Sequence, residues 1–134
     1  MDVIFKYCAG LDVHKKVIVV ALIVLDAMGQ VYRETRTFGA MTADLLELSD
    51  WLQSHGVTHV AMESTGEYWK PVFNILEGNF EVVLVNAQHL SRVPGRKTDQ
   101  SDAQWLAELL RVGLLQASFI PPVGQRDLRE LTRY

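Results

Sequence analysis

Nine consecutive apolar residues, Val17 to Leu25, constrain this chain more than any other feature. The run is too short to cross a bilayer, which takes about 20 apolar residues in a helix. Most of its side chains are β-branched, so it predicts a strand buried on both faces, extending over Lys16 to Asp26. Tyr7 to Asp12 predicts a preceding strand, with His14 and Lys15 at the turn between them. Ala27-Met28-Gly29-Gln30 offers the next turn, and Val31 to Phe38 alternates less cleanly, as an edge strand does. Three successive strands imply an antiparallel meander.

The pattern then changes period. Leu45, Leu48 and Leu52, joined by Leu46 and Trp51, form a helical stripe that Thr42 caps and Gly56 closes. Thr58 to Glu63 is a short strand. Trp69, Val72, Phe73 and Leu76 share one face of a second helix, with Pro71 in its first turn and Ser64 to Glu67 left as loop. Phe80 to Val85 is a fifth strand, and Asn86 caps a short helix over Ala87 to Arg92. A further helix runs from about Asp99 to Val112, with Ala103, Leu106, Ala107 and Leu110 as its buried stripe and Gly113 at its end. After Pro121-Pro122, Gln125 to Tyr134 begins a helix with no closing signal. The order predicts an α/β fold: a mixed sheet of about five strands with helices packed on it, similar to RNase H-like folds.

The 134 residues, 49% of them hydrophobic, suffice for one globular domain. The single cysteine, Cys8, has no intrachain partner and suits a reducing cytoplasm. No leader or membrane segment is evident, so a soluble, unexported protein is expected. A net charge of -3 argues against a general polyanion binder. Four clustered carboxylates around divalent ions would offset that acidity locally and leave the basic residues to dominate the surrounding face.

The candidate carboxylates are Asp12 and Glu63, each at a predicted strand end, and Asp99 and Asp102, three apart at the start of a helix. Crowded carboxylates repel one another unless cations occupy them, and hard oxygen ligands favour Mg or Mn. Two such ions support phosphoryl transfer, including DNA cutting and joining. Plainer roles exist: Asp99 as an N-cap, Asp102 as a favourable charge at the third helical position, Glu63 as a loop brace. Asp12, closing an apolar strand, has no comparable turn role.

Gly10-Leu11-Asp12-Val13-His14-Lys15, Met62-Glu63-Ser64-Thr65-Gly66, Tyr68-Trp69 and Lys97-Thr98-Asp99-Gln100-Ser101-Asp102-Ala103 together resemble the DEDD-type insertion-sequence transposases, family one-ten, which include the Piv-type invertases. The resemblance spans nearly the whole chain. It implies a RuvC-like catalytic domain over 1–124 with Asp12, Glu63, Asp99 and Asp102 binding Mg2+ or Mn2+. It also implies that 125–134 starts a truncated linker helix towards a serine-bearing C-terminal domain, and that a structured bridge RNA guides target choice. DNA and that RNA are the expected partners, in the cytoplasm of a bacterium or archaeon, near the nucleoid.

His14 beside Asp12 suits a metal ligand, a proton carrier or a solvated turn with Lys15 and Lys16. Lys15, Thr65, Arg92, Arg96, Lys97, Arg126, Arg129 and Arg133 are candidate nucleic-acid contacts, although surface arginines are commonly only solvated. Trp69 and Trp105 fit core packing better than base stacking. His55, His59 and His89 show no metal-ligand spacing. Leu128 and Leu131 on the final helix favour self-association, so a homo-oligomer is expected. Alternatives to a transposase are a self-sufficient Holliday-junction resolvase or nuclease, and a non-catalytic RNA-binding or dimerisation module.

Overall fold

The computed structural model describes residues 3–64, 66–86, 88, 90, 93–96 and 100–115. Strands β1 (Tyr7–Val13), β2 (Val17–Leu25), β3 (Val31–Gly39), β4 (His59–Glu63) and β5 (Glu81–Val85) form one sheet in the order β3-β2-β1-β4-β5. The first three strands are the expected antiparallel meander, while β4 joins β1 and β5 joins β4 in parallel. Helices α1 (Thr42–Ser54) and α2 (Trp69–Leu76) cover one face, and α3 (Asp102–Arg111) covers the other.

The unbroken apolar character of β2 follows from this sandwiching. Ile18, Val20, Leu22 and Val24 pack towards α1 and α2, whereas Val19, Ala21 and Ile23 pack towards α3. The same alternation sorts β1: Ala9 and Leu11 belong to the first layer and Cys8 to the second. Phe38, near the end of the otherwise exposed edge strand β3, reaches Trp51 of α1 at a ring separation of 5.5 Å.

Several local expectations need correction. Met41, not Thr42, is the N-cap of α1, and its amide donates to the Asp44 carboxylate at 3.1 Å. Asp44, at the third helical position, thereby satisfies one end of the helix without a capping hydroxyl. Leu46 is exposed because it lies off the stripe formed by Leu45, Leu48 and Leu52, which is buried with Trp51. Trp69 is only partly buried, since its indole nitrogen turns outward to donate to the Gly66 carbonyl at 3.0 Å. Lys16 belongs to the β1–β2 turn, where the His14 amide donates to the Val17 carbonyl.

Helix α3 begins at Asp102 rather than near Asp99. Ser101 is the N-cap: its hydroxyl accepts from the Gln104 amide at 3.2 Å, and the Gln104 side chain accepts from the Ser101 amide at 3.0 Å. This reciprocal pair fixes the start of the helix and makes Asp102 its first residue. The expected stripe of Ala103, Leu106, Ala107 and Leu110 is buried, joined by Trp105 and Leu109. Gly113, at φ 74°, ends the segment as Gly56, at φ 75°, ends α1. The expected helices over 87–92 and 125–134 lie wholly or largely outside the described residues. Among the described residues no helix is long and apolar enough to cross a membrane.

Candidate active site

Strand β1 runs beside β4 with Leu11 opposite Met62. One residue further on, Asp12 and Glu63 stand at the neighbouring strand ends. Side chains alternate along a strand, so both carboxylates belong to the face that carries Cys8, Ala61 and α3, opposite to Leu11 and Met62. Beyond Glu63 the Ser64 amide still donates to the Val85 carbonyl at 3.0 Å, which holds this strand end against β5.

The third described carboxylate arrives from above the sheet. Helix α3 packs over β1, β2 and β4, and Gly10 lets it approach closely. A Cβ at position 10 would stand 2.6 Å from the Ala107 amide nitrogen and 2.8 Å from Leu106 Cβ, and would collide with the Ala103 carbonyl. Ala103 directly follows Asp102, and Asp12 lies one pleat beyond Gly10 on the same face. Contact at Gly10 thus brings the start of α3 to the end of β1. This positioning role was missed in the sequence, although a glycine inside an apolar strand commonly marks such an approach.

Asp12 and Asp102 each have a side-chain partner. His14 Nε2 lies 2.9 Å from Asp12 Oδ2. Arg96 Nη1 lies 2.7 Å from Asp102 Oδ1, while the same guanidinium donates through Nε and Nη2 to the Gln100 carbonyl at 3.3 and 2.8 Å. One arginine therefore ties together the backbone before α3 and its first side chain. Among the described residues no three His, Cys, Asp or Glu side chains lie close enough together to hold a metal ion.

His14, Lys15 and Arg96 are exposed beside this site. Asp99, Thr65, Arg92, Lys97, Arg126, Arg129 and Arg133 lie outside the described residues. Trp105 is buried against the sheet, as expected of a core residue. His55 stacks on Tyr32 and meets Trp51 edge-on, and His59 packs on Phe5 with ring centroids 4.0 Å apart. Next to the site, between β3 and α3, a groove is lined by Arg33, Thr35, Gln100, Gln104 and Glu108.

Among solved structures, RuvC of T. thermophilus in complex with a Holliday junction substrate is similar over 82% of this chain and 98% of its own, at 10% identity and a TM-score of 0.51. That likeness shows a RuvC-like fold. The fowlpox virus resolvase, solved with substrate Holliday junction DNA, is 13% identical with a TM-score of 0.47 over 69% of this chain, which spans 65% of the viral chain. No curated protein sequence matches at a significant level. The transposase family DEDD_Tnp_IS110 matches residues 9–134, all but the first eight positions. The chain belongs to the DEDD transposase family of the IS110 type.

Proposed function

We propose that this chain is a metal-dependent DNA-cleaving domain of transposition, with Asp12, Glu63, Asp99 and Asp102 as its carboxylates. The observation that carries the reading is the pairing of Leu11 with Met62, which puts Asp12 and Glu63 on adjacent strand ends, on the face that α3 covers. The donor set fits a hard divalent cation, because every proposed ligand is a carboxylate oxygen. Bound Mg2+ or Mn2+ would activate the attacking oxygen and stabilise the leaving oxygen of a phosphodiester.

The chain's own residues supply the rest. Asp12 and Glu63 are held by the sheet, whereas Asp102 sits at the first position of α3 and must exchange Arg96 for the ion. Arg96, once released, is free to meet a phosphate oxygen, and Lys15, exposed in the β1–β2 turn beside Asp12, offers further positive charge. A structured guide RNA and a separate serine-bearing domain complete strand transfer in this reading.

Calorimetric titration with Mn2+ tests it, comparing the native chain with an Asp12→Ala, Asp102→Ala variant that remains folded by circular dichroism. Binding by the native chain that vanishes in the variant supports the carboxylate site; equal binding in both sinks it. A second reading, a self-sufficient junction resolvase, is favoured by the 98% coverage of the RuvC chain. Metal-dependent cleavage of a four-way junction by this chain alone would select that reading.

A further inference from the structure

We propose that the free edge of β3 is an interface that pairs with β3 of a second copy of this chain, antiparallel and centred on Thr35. Among the described residues β3 ends the sheet, and its nine residues pair with β2 in an unbroken register from Val17 opposite Gly39 to Leu25 opposite Val31. Natural edge strands are normally kept short, bulged, or guarded by proline or by charged side chains, lysine above all. Val31–Gly39 contains neither proline nor lysine and has no bulge against β2, and its charged side chains are already paired, Arg33 with Glu108 and Arg36 with Glu34. About half of its backbone amides and carbonyls therefore face away from β2, with no described strand to receive them.

The sequence of the strand is complementary to itself. With Thr35 opposite Thr35 of the second copy, Glu34 falls opposite Arg36, Tyr32 opposite Phe38, Arg33 opposite Thr37 and Val31 opposite Gly39. Glu34 and Arg36 are thus paired twice, once on each side of the two-fold axis, and so are the two aromatic residues. Within one copy, Arg36 Nη2 already lies 3.3 Å from Glu34 Oε2, and the Tyr32 hydroxyl donates to Glu34. These three side chains share the α1 face of the strand with Phe38, and opposite charges and aromatic pairs directly across antiparallel strands are favourable. A shift of the centre by one residue would place Glu34 opposite Glu34 or Arg36 opposite Arg36, so charge selects the register.

The two-fold axis of such a pair stands perpendicular to the sheet, giving ten continuous strands with both α3 helices on one side. The two β1 strands, each bearing an Asp12, would then be separated by five strand spacings, about 24 Å. This inference does not depend on the metal chemistry of the site.

The test is a charge swap combined with a cross-link in the full chain. Sedimentation should show a dimer that Glu34→Arg or Arg36→Glu alone weakens by about tenfold or more, and that the double variant restores. Opposed residues of antiparallel strands lie about 4.5–5.5 Å apart at Cα, within disulfide range. Thr35→Cys should accordingly form a disulfide-linked dimer on mild oxidation, and Glu47→Cys, exposed on α1, should not. The only native thiol, Cys8, is buried. A monomer at every concentration, a dimer indifferent to both single reversals, or a Thr35→Cys chain that links no better than Glu47→Cys overturns the proposal.

Discussion

Arg96 clasps Asp102: the guanidinium Nη1 lies 2.7 Å from the carboxylate Oδ1 and spans back to the Gln100 carbonyl. Both side chains are close to half exposed, 40% and 45%, so the pair contributes at most about 1 kcal/mol. If Asp102 is a metal ligand, this clasp competes with the ion. Arg96→Gln should raise Mn2+ affinity by no more than about fivefold, the equivalent of that energy, with little change in unfolding midpoint. Unchanged or weaker binding, measured by calorimetry, would show that the arginine does not compete.

Gly10 is the point where α3 meets the sheet. An alanine there forces its Cβ onto backbone atoms of Ala103 and Ala107, which cannot swing aside as a side-chain tip can. Gly10→Ala should cost about 1–3 kcal/mol, and Gly10→Val more, through displacement of α3. Chemical denaturation gives the magnitude. If α3 positions Asp102, the folded Gly10→Ala chain should also bind Mn2+ more weakly than the native protein.

The Ser101–Gln104 pair is a separate handle on the same helix start. Ser101→Ala removes the hydroxyl that accepts from the Gln104 amide and should destabilise the domain by about 1 kcal/mol. Ser101→Asp, which restores an acceptor at the N-cap, should recover most of that loss in the same unfolding measurement.

His59 gives the fold a pH dependence. Burial holds its pKa below the ordinary 6.5, with Glu81 opposing that shift. The unfolded chain therefore binds a proton more readily than the folded one, so stability from this group is full above about pH 6.5 and declines as pH falls towards the lowered folded value. His59→Phe, which keeps a ring against Phe5, should flatten the urea midpoint between neutral pH and pH 5 relative to the native chain. An identical slope in both proteins would remove His59 as the cause.

Cys8 should be chemically silent while the protein is folded. Burial pushes its thiol up to about 12, and its sulfur lies 3.7 Å from the Ala107 carbonyl under α3. The thiolate is the reactive form, so a disulfide reagent at pH 8 should modify Cys8 only at the rate of opening or unfolding. Rapid stoichiometric labelling under native conditions would mean that α3 lifts readily from the sheet.

The sequence itself determined the elements whose physics is local. The apolar run over β2 could satisfy both its faces only inside a sheet, and the 3.6-residue stripes of α1 and α3 named the side chains that pack there. The glycines that close those helices were equally plain, because a left-handed residue is needed at each end. Asp12 and Glu63 were legible as strand-end acids, but nothing local says that their strands are neighbours. That fact comes from the parallel pairing of β1 with β4, across nearly fifty intervening residues. The helix start moved from Asp99 to Asp102 because Ser101 and Gln104 cap each other more completely than an aspartate alone would. Tertiary structure alone decided that Gly10 admits α3 to the sheet and that β3, among the described residues, ends that sheet. Each depends on groups distant in sequence meeting at close range, which periodicity along the chain does not encode.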